Sequence, residues 1–237
     1  MKIEVLYPEV CNLYGDIHNM HYLKKCLPDA DWIETDFCAD PFFADQDVQM
    51  VYMGPMTENK QIKAIEKLLP FRDRLCQLIE QGTVFFMTGN AYEIFGQTID
   101  NKTTGTKTQG LGIFPIDVTI DYFSRYNGML LGVYEDIEVV GFQSQFSRVS
   151  AAPDAVTPFI EVRRGLGLNQ ESKIEGVRKN NFFGTSLLGP FLILNPLFTK
   201  KLLQLLGVAD PKLPLGEELM RAYAARLAEF QNPNIKF

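Results

Sequence analysis

The residues best placed to do chemistry lie in a turn between a short apolar run and a segment of helical periodicity. Residues 84–87, Val-Phe-Phe-Met, predict a buried strand, and the small residues Thr88-Gly89-Asn90-Ala91 predict the turn. In α/β proteins such a junction lies at the carboxyl end of a strand, where ligands bind and nucleophiles are mounted. Covalent catalysis needs a nucleophile beside a base. This turn holds neither Cys nor Ser, and Thr88 supplies its only hydroxyl group.

Cysteine and histidine are too scattered to predict a metal site. The four cysteines form no Cys-x-x-Cys pair, and the two histidines lie near the N-terminus; the residues are Cys11, Cys26, Cys38, Cys76, His18 and His21. Zinc sites favour closely spaced ligand pairs, so we expect reduced thiols, no metal and no cofactor. A pair formed by Cys11 and His18 at the sheet edge stays open as an alternative source of nucleophilic chemistry.

Composition is that of an ordinary soluble globular protein. The chain has 237 residues, of which 46% are hydrophobic and 22% charged, and its net charge is −6. This acidic balance argues against a general nucleic-acid or membrane-surface binder, since either needs a basic face. No apolar run is long enough for a membrane span, and the first residues predict a strand rather than a signal peptide. We therefore expect a cytoplasmic protein with no nucleic-acid or membrane partner.

The first hundred residues alternate predicted strands and helices. Strands are expected at residues 3–7, 32–36, 48–53 and 84–87. Helices are expected at residues 19–27, from about residue 59, and again before Gly82, which is a plausible helix C-cap. This alternation favours a mainly parallel sheet covered by helices on both faces, the three-layer α/β arrangement.

The middle of the chain predicts a run of strands, and the end predicts helices. Strands are expected at residues 116–120, 129–133, 137–142 and 159–162, and they are expected to be antiparallel and to extend the central sheet. A helix ending at Gly207 and a last helix over about residues 216–230 follow. The last helix is expected to pack on the body, with a partner-binding tail as the alternative.

Residues 7–16 carry the strongest resemblance to a known family. They read Tyr-Pro-Glu-Val-Cys-Asn-Leu-Tyr-Gly-Asp, and Asn19 follows. This run resembles the opening motif of class I glutamine amidotransferases of the cobyric acid synthase type, Tyr-Pro-Asp-x-x-Asn-Leu-Tyr-Gly-Asp-Arg-Gly-Asn. Ile17 and His18 depart from its Arg-Gly. Within that family the chain most resembles the glutaminase subunits of lipid II isoglutaminyl synthases.

The resemblance spans about residues 3–206 and implies a fold and a domain division. It implies a flavodoxin-like α/β sandwich whose central sheet is mainly parallel. We expect residues 1–207 to form the glutamine amidotransferase-like domain and residues 208–237 to form a C-terminal helical extension packed on it. In such enzymes a cysteine thiolate attacks the side-chain amide of glutamine, a histidine moves the protons, and backbone amides stabilise the oxyanion.

At the catalytic positions implied by the resemblance, this chain has residues of other types than the family has. The family's Cys-Gly-Gly-Tyr-Gln-x-Leu-Gly aligns with residues 89–96, which puts Gly89 in the nucleophile's place; one inserted residue would put Thr88 there instead. The family's Gly-Thr-Tyr-Leu-His-Gly-Pro aligns with residues 184–190, so Leu188 replaces the catalytic histidine. Pro55 replaces a glycine of the loop that resembles the oxyanion loop, and proline has no N–H to donate. The resemblance thus implies no intact catalytic residue.

Three residues are expected to bind a ligand. Arg125, followed by Asn127-Gly128, resembles the family's Arg-x-x-Gly, whose arginine is implicated in holding the substrate glutamine. Gly54 and Asn90 lie in the two loops that would flank that ligand. Glutamine or another small carboxylate is the expected occupant, and a structural salt bridge of Arg125 is the alternative.

The interpretation that these residues favour is an amidotransferase-like subunit without catalysis. It would act by binding a Mur-ligase-type partner in cell-wall precursor metabolism, as the resemblance implies. One alternative is an active glutaminase that supplies ammonia for amidation of a cell-wall or cobyric-acid-type precursor. Another is a small-molecule binding protein on the same fold, because function resides in the site rather than the fold.

Overall fold

Fourteen strands and six α-helices form in residues 1–152 and 154–235, the part of the chain that this computed structural model describes. The strands are β1 (Lys2–Leu6), β2 (Asp31–Thr35), β3 (Met50–Met53), β4 (Val84–Thr88), β5 (Thr98–Asn101), β6 (Thr106–Gln109), β7 (Ile116–Ile120), β8 (Tyr126–Tyr134), β9 (Ile137–Gln145), β10 (Ser147–Ala151), β11 (Ile160–Gly165), β12 (Ile174–Glu175), β13 (Val177–Lys179) and β14 (Phe182–Thr185). The helices are α1 (His18–Cys26), α2 (Glu58–Leu68), α3 (Arg72–Glu80), α4 (Phe191–Leu194), α5 (Pro196–Leu205) and α6 (Gly216–Gln231). Within these described residues, every helix is too short or too polar to cross a bilayer.

A six-stranded sheet lies at the centre, in the order β13-β14-β4-β3-β1-β2. Five of its strands are parallel and β13 is antiparallel to β14. Both β3 and β4 are buried along their whole length, as expected for strands covered on both faces. The predicted α/β fold is confirmed. The carboxyl ends of β1, β3, β4 and β14 meet at one edge, and the candidate site lies there.

The middle strands form two further sheets, in the orders β10-β7-β5-β6 and β12-β11-β8-β9. The sequence predicted that these strands would extend the central sheet, and this placement was wrong. That edge of the central sheet is occupied by β13, which pairs with β14 and comes later in the chain. The hairpin of β5 and β6 was not predicted. Its threonine-rich strand β6 is mostly exposed and lacks the apolar alternation that marks a half-buried strand.

Pairs of adjacent phenylalanines anchor helices and sheets to both faces of the central sheet. Successive strand residues point to opposite faces, so Phe182 packs in one apolar cluster and Phe183 in the other. The Phe182 ring lies 5.7 Å from the Phe85 ring, and the Phe183 ring lies 5.5 Å from the Phe198 ring of α5, centroid to centroid. These clusters hold β4 and β14 rigidly side by side, which fixes the loops at their carboxyl ends.

Helix α6 lies on the outer face of β8 and β9. Tyr223 and Phe230 are buried there against Leu131 and Val140. The Tyr223 hydroxyl donates a hydrogen bond of 2.7 Å to the Glu138 carbonyl oxygen. These contacts bury the apolar side of α6 against β8 and β9. The sequence left open that this side binds a partner, but the chain itself covers it.

Candidate functional site

Gly89 forms the sharp turn at the end of β4. It begins a 3-10 helix, Gly89–Phe95, and has a φ of +57°, in the left-handed region that glycine adopts at low cost. The sequence predicted the N-terminus of a longer helix here, whereas the structure has a seven-residue 3-10 helix. In α/β enzymes a sharp strand-to-helix turn at this place in the fold presents the nucleophile.

A side chain at residue 89 would point at the two other replaced positions. A Cβ atom built there would lie 2.5 Å from the Pro55 Cβ atom and 3.3 Å from the Leu188 Cδ2 atom. Real Cβ atoms do not approach other carbons as closely as 2.5 Å, so Pro55 would have to shift. Residues 89, 55 and 188, the three positions at which the chain departs from the family pattern, therefore lie together in front of β4.

Thr88 is the last residue of β4, and its hydroxyl is held beneath the turn. It donates a hydrogen bond to Oδ2 of Asp16, and the Tyr52 hydroxyl donates to the same oxygen over 2.9 Å. Thr88 and Asp16 are both fully buried. The Thr88 hydroxyl is therefore out of reach of the cavity in this conformation and links β4 to Asp16.

Asp16, the last residue of the motif at residues 7–16, lies in the interior of the protein. Burial raises the pKa of its carboxyl group to about 6, although the hydrogen bonds from Thr88 and Tyr52 act in the opposite direction. The residue lies against the backbone of Gly189, where an added Cβ would meet Asp16 Oδ1 at 2.1 Å. Asp16 thus joins the first loop of the chain to the loop that carries Leu188.

Residues 55 and 56 of the loop from Gly54 to Thr57 have no free backbone N–H to offer an oxyanion. Pro55 has no N–H, and the Met56 N–H donates to the Asn90 side-chain oxygen over 2.9 Å. The Asn90 amide nitrogen donates back to the Met56 carbonyl oxygen over 2.8 Å. Asn90 lines the cavity, and both ends of its side chain also hold this loop in place, so its contact with a ligand stays a prediction.

Gly54, also predicted to bind a ligand, is buried outside the cavity lining of the described chain. A Cβ atom at this position would lie 2.4 Å from the Cys11 carbonyl oxygen. Glycine is needed because two backbone segments approach closely here. This corrects the sequence-based role of Gly54.

A cavity of about 260 Å³ opens in front of Gly89, between the central sheet and the sheet of β7 and β10. Pro55, Leu188 and Gly89 form its apolar floor, and Arg125 and Tyr14 lie at its rim. The Arg125 guanidinium donates to the Ser144 hydroxyl oxygen over 3.1 Å and to the Tyr14 hydroxyl oxygen over 2.8 Å. Among the described residues no carboxylate pairs with Arg125, so the alternative of a salt bridge is not formed.

The cavity wall contains a buried glutamate, Glu93, that was not predicted from the sequence as a site residue. Glu93 accepts hydrogen bonds from the Ser147 hydroxyl and, over 2.8 Å, from the Gln61 side-chain nitrogen. Burial raises the pKa of Glu93 to about 7, partly offset by these two donors. The family motif could have pointed to this residue, because it has Gln at the position where this chain has Glu93.

Cys11 and His18 are each engaged elsewhere. Cys11 is buried with its Sγ atom 3.8 Å from the Met56 Sδ atom, and burial raises the pKa of its thiol. His18 is exposed, with Nδ1 2.8 Å from the Gly15 carbonyl oxygen. The described residues contain no hydrogen bond between this cysteine and this histidine, so the alternative nucleophilic pair is not assembled. In residues 1–152 and 154–235 no cluster of three or more His, Cys, Asp or Glu side chains could hold a metal ion.

Sequence comparison places the chain in a family that fits this fold and this site. Residues 2–195 match the CobB/CobQ-like glutamine amidotransferase domain. The chain therefore belongs to the CobB/CobQ-like glutamine amidotransferase family, which confirms the resemblance stated from its motifs.

Curated relatives and solved structures agree with that assignment. The chain is 27% identical over 198 residues to the lipid II isoglutaminyl synthase (glutamine-hydrolyzing) subunit GatD of Staphylococcus aureus (strain N315), covering 81% of this chain and 79% of the relative. It is 24% identical over 232 residues to the same subunit of Streptococcus pneumoniae (strain ATCC BAA-255 / R6), covering 93% and 87%. Among solved structures, PurLQS from Thermotoga maritima is similar in fold, with a TM-score of 0.54 at 13% identity over 95% of this chain and 98% of that chain.

Proposed function

We propose that this chain is a glutamine amidotransferase-like subunit that does not hydrolyse glutamine and acts by binding. The observation that carries the proposal is the occupied space at residue 89. Pro55 and Leu188 fill the volume into which a nucleophile would project. Covalent catalysis loses most of its rate when either nucleophile or base is removed, and here both positions hold groups that cannot react.

The partner in this proposal is a Mur-ligase-type protein in cell-wall precursor metabolism in the cytoplasm. Support comes from the two relatives, which are each named as a subunit of lipid II isoglutaminyl synthase. The chain covers most of the length of both relatives, so a surface that serves subunit association in them has room to be present here. Binding would position or regulate the ligase-type partner without delivering ammonia.

The first test measures ammonia release from glutamine by the purified chain, alone and with the Mur-ligase-like protein of its own genome. We expect release no faster than in buffer, together with a stable complex in size-exclusion chromatography. The Staphylococcus aureus relative, assayed in parallel, shows that the assay detects hydrolysis. Ammonia release by this chain above the buffer rate would contradict the absence of catalysis, and separate elution of the two proteins would contradict the partner.

A retained small-carboxylate site is a second candidate function, favoured by the unpaired guanidinium of Arg125. A cation at a cavity rim that makes no ion pair among the described residues is available to bind an anionic group. In this proposal the ligand's carboxylate pairs with Arg125 while the apolar floor excludes a reactive side chain.

The Arg125→Gln variant is expected to weaken binding of L-glutamine or glutarate by about tenfold or more, because a charge-assisted hydrogen bond is lost. Isothermal titration calorimetry measures the affinities. Arg221→Gln, which removes the same charge from an exposed position on α6, is the matched control and is expected to bind as the parent does. Equal affinities of the Arg125 variant and the parent would contradict this site.

A further inference from the structure

The loop between β7 and β8 carries the most exposed aromatic side chain of the described residues. Phe123 is 90% exposed, and the loop's next two residues lead to Arg125 at the cavity rim. A phenylalanine in water forgoes on the order of 2 kcal/mol that burial would provide. Its exposure therefore calls for a reason in the structure around it.

Hydrogen bonds hold this loop so that Phe123 cannot fold back onto the protein. The Phe123 N–H donates to the Asp121 carboxylate over 3.0 Å, and the Asp121 N–H donates to the Phe146 carbonyl oxygen over 3.0 Å. The Arg148 guanidinium donates to both the carbonyl oxygen and the hydroxyl oxygen of Ser124, over 2.9 and 2.8 Å. The ring is thus presented to solvent by a braced turn.

Two arginines lie on or beside this loop, Arg125 within it and Arg148 bound to Ser124, and each stacks on an aromatic side chain. The Arg125 guanidinium lies 5.1 Å from the Phe146 ring centre, and the Arg148 guanidinium lies 4.2 Å from that of Tyr126. Neither has a carboxylate partner among the described residues. The two arginines outnumber the one nearby carboxylate, that of Asp121, so this loop has an excess of positive charge on a chain whose net charge is −6.

We propose that Phe123, Arg125 and Arg148 form a docking surface, the Phe123 patch, for a protein partner. The partner's facing surface is acidic and has an apolar recess for the Phe123 ring. Aromatic and arginine side chains dominate the energetics of protein interfaces, and oriented, already ordered side chains lose little entropy on binding. The inference rests on the proposed function, because it assigns this surface to the Mur-ligase-type partner named there.

The test measures the affinity of the full chain for the Mur-ligase-like protein of its genome by biolayer interferometry. Phe123→Ala is expected to weaken binding by about tenfold or more, as central aromatic anchors do. Phe123→Leu, which keeps an apolar side chain, is expected to recover part of that loss. Leu69→Ala is the matched control and is expected to bind as the parent does. Leu69 is also exposed and apolar, but it follows the C-terminal end of α2, whereas the N-terminal end of α2 lies at the cavity. Since Phe123 is exposed, thermal unfolding of its variants is expected to match the parent.

Salt provides a second readout. Raising the salt concentration from about 0.05 to about 0.5 M is expected to weaken binding of the parent and of Phe123→Ala by a similar factor, because the two arginines remain in both. Parental affinity of Phe123→Ala would overturn the docking surface and leave the proposed partner intact. Failure of the parent to bind the ligase-type protein would overturn both. If the parent forms a dimer and Phe123→Ala dissociates it, the Phe123 patch binds a second copy of this chain. That result would overturn its assignment to the ligase-type partner.

Discussion

The triple variant Gly89→Cys/Pro55→Gly/Leu188→His is expected to hydrolyse glutamine measurably, whereas the parent is expected to release ammonia no faster than buffer. The three substitutions replace the groups that meet at one point in front of β4. Cysteine supplies the nucleophile, histidine supplies the base, and glycine at residue 55 restores both space and a backbone N–H. The turn at residue 89 already has the left-handed φ of +57° that presents such a nucleophile.

Pro55 decides whether the other two substitutions have any effect. In the double variant Gly89→Cys/Leu188→His, the new Cβ atom would be forced to within 2.5 Å of the Pro55 Cβ atom. The left-handed backbone adds about 1–2 kcal/mol of strain for a residue with a Cβ atom. The double variant also lacks the N–H at residue 55, and one lost oxyanion donor slows such reactions by about 10²–10³-fold. We therefore expect the triple variant to exceed the double variant by about two orders of magnitude.

Ammonia release from glutamine, followed with a coupled enzyme, measures this gain. The control is Pro55→Gly/Leu188→His, which has the space and the base but no thiol, and it is expected to stay at the buffer rate. Thermal unfolding of all variants shows whether each is folded. If the folded triple variant is as inactive as this control, the three replaced residues are not what prevents catalysis.

Local sequence patterns were sufficient to predict the strand and the turn beside which the cavity lies. The apolar run before Thr88 and the small residues after it predicted the strand-to-turn junction, and the motif of residues 184–190 predicted that Leu188 faces it. The different surroundings of Gly89 and Thr88 could not be predicted in this way, because they depend on the backbone conformation and on residues distant in sequence. Only the structure shows that residue 89 has a positive φ and that the Thr88 hydroxyl is bound to Asp16.

Burial of polar residues could not be predicted, because it depends on segments that are distant in sequence. Asp16 is enclosed by Tyr52, by Thr88 and by the backbone of Gly189, which come from three separate parts of the chain. Glu93 follows the predicted turn, yet its partner Ser147 belongs to β10, a strand of another sheet. A local sequence pattern identifies a residue as polar but does not show which distant segments pack on it and bury it.

Three buried carboxyl groups with strongly raised pKa values make stability depend on pH, and burial raises the pKa of a fourth, Glu4, in the same direction. Burial raises the pKa of Asp16 to about 6 and the pKa values of Glu93 and Glu175 to about 7. Glu175 accepts hydrogen bonds of 2.7 Å from the Thr185 hydroxyl and the Ser186 N–H, which oppose the effect of burial on its pKa. In the unfolded chain such groups have pKa values of about 4.

Because the folded state holds these protons more tightly, raising the pH destabilises it. Between about pH 4 and pH 7 the folded protein binds more protons than the unfolded chain, so the free energy of unfolding falls as pH rises. The contribution of these groups is complete below about pH 4 and is lost as the pH passes through 6 to 7. A tenfold difference in proton affinity corresponds to about 1.4 kcal/mol, so each group accounts for on the order of 3 kcal/mol.

We therefore expect the melting temperature at about pH 5 to exceed that at about pH 7.5 by on the order of 10 °C, since one kcal/mol corresponds to about 2–4 °C for a chain of this size. Differential scanning calorimetry across this range measures it. Glu93→Gln keeps the shape of the side chain and removes its charge, so it is expected to raise the melting temperature at the higher pH and change it little at the lower pH. Glu66→Gln, which removes the same charge from an exposed position on α2, is expected to shift neither. A melting temperature that rises from pH 5 to 7.5, or a Glu93→Gln effect equal at both pH values, would show that these carboxyl groups do not titrate as their burial requires.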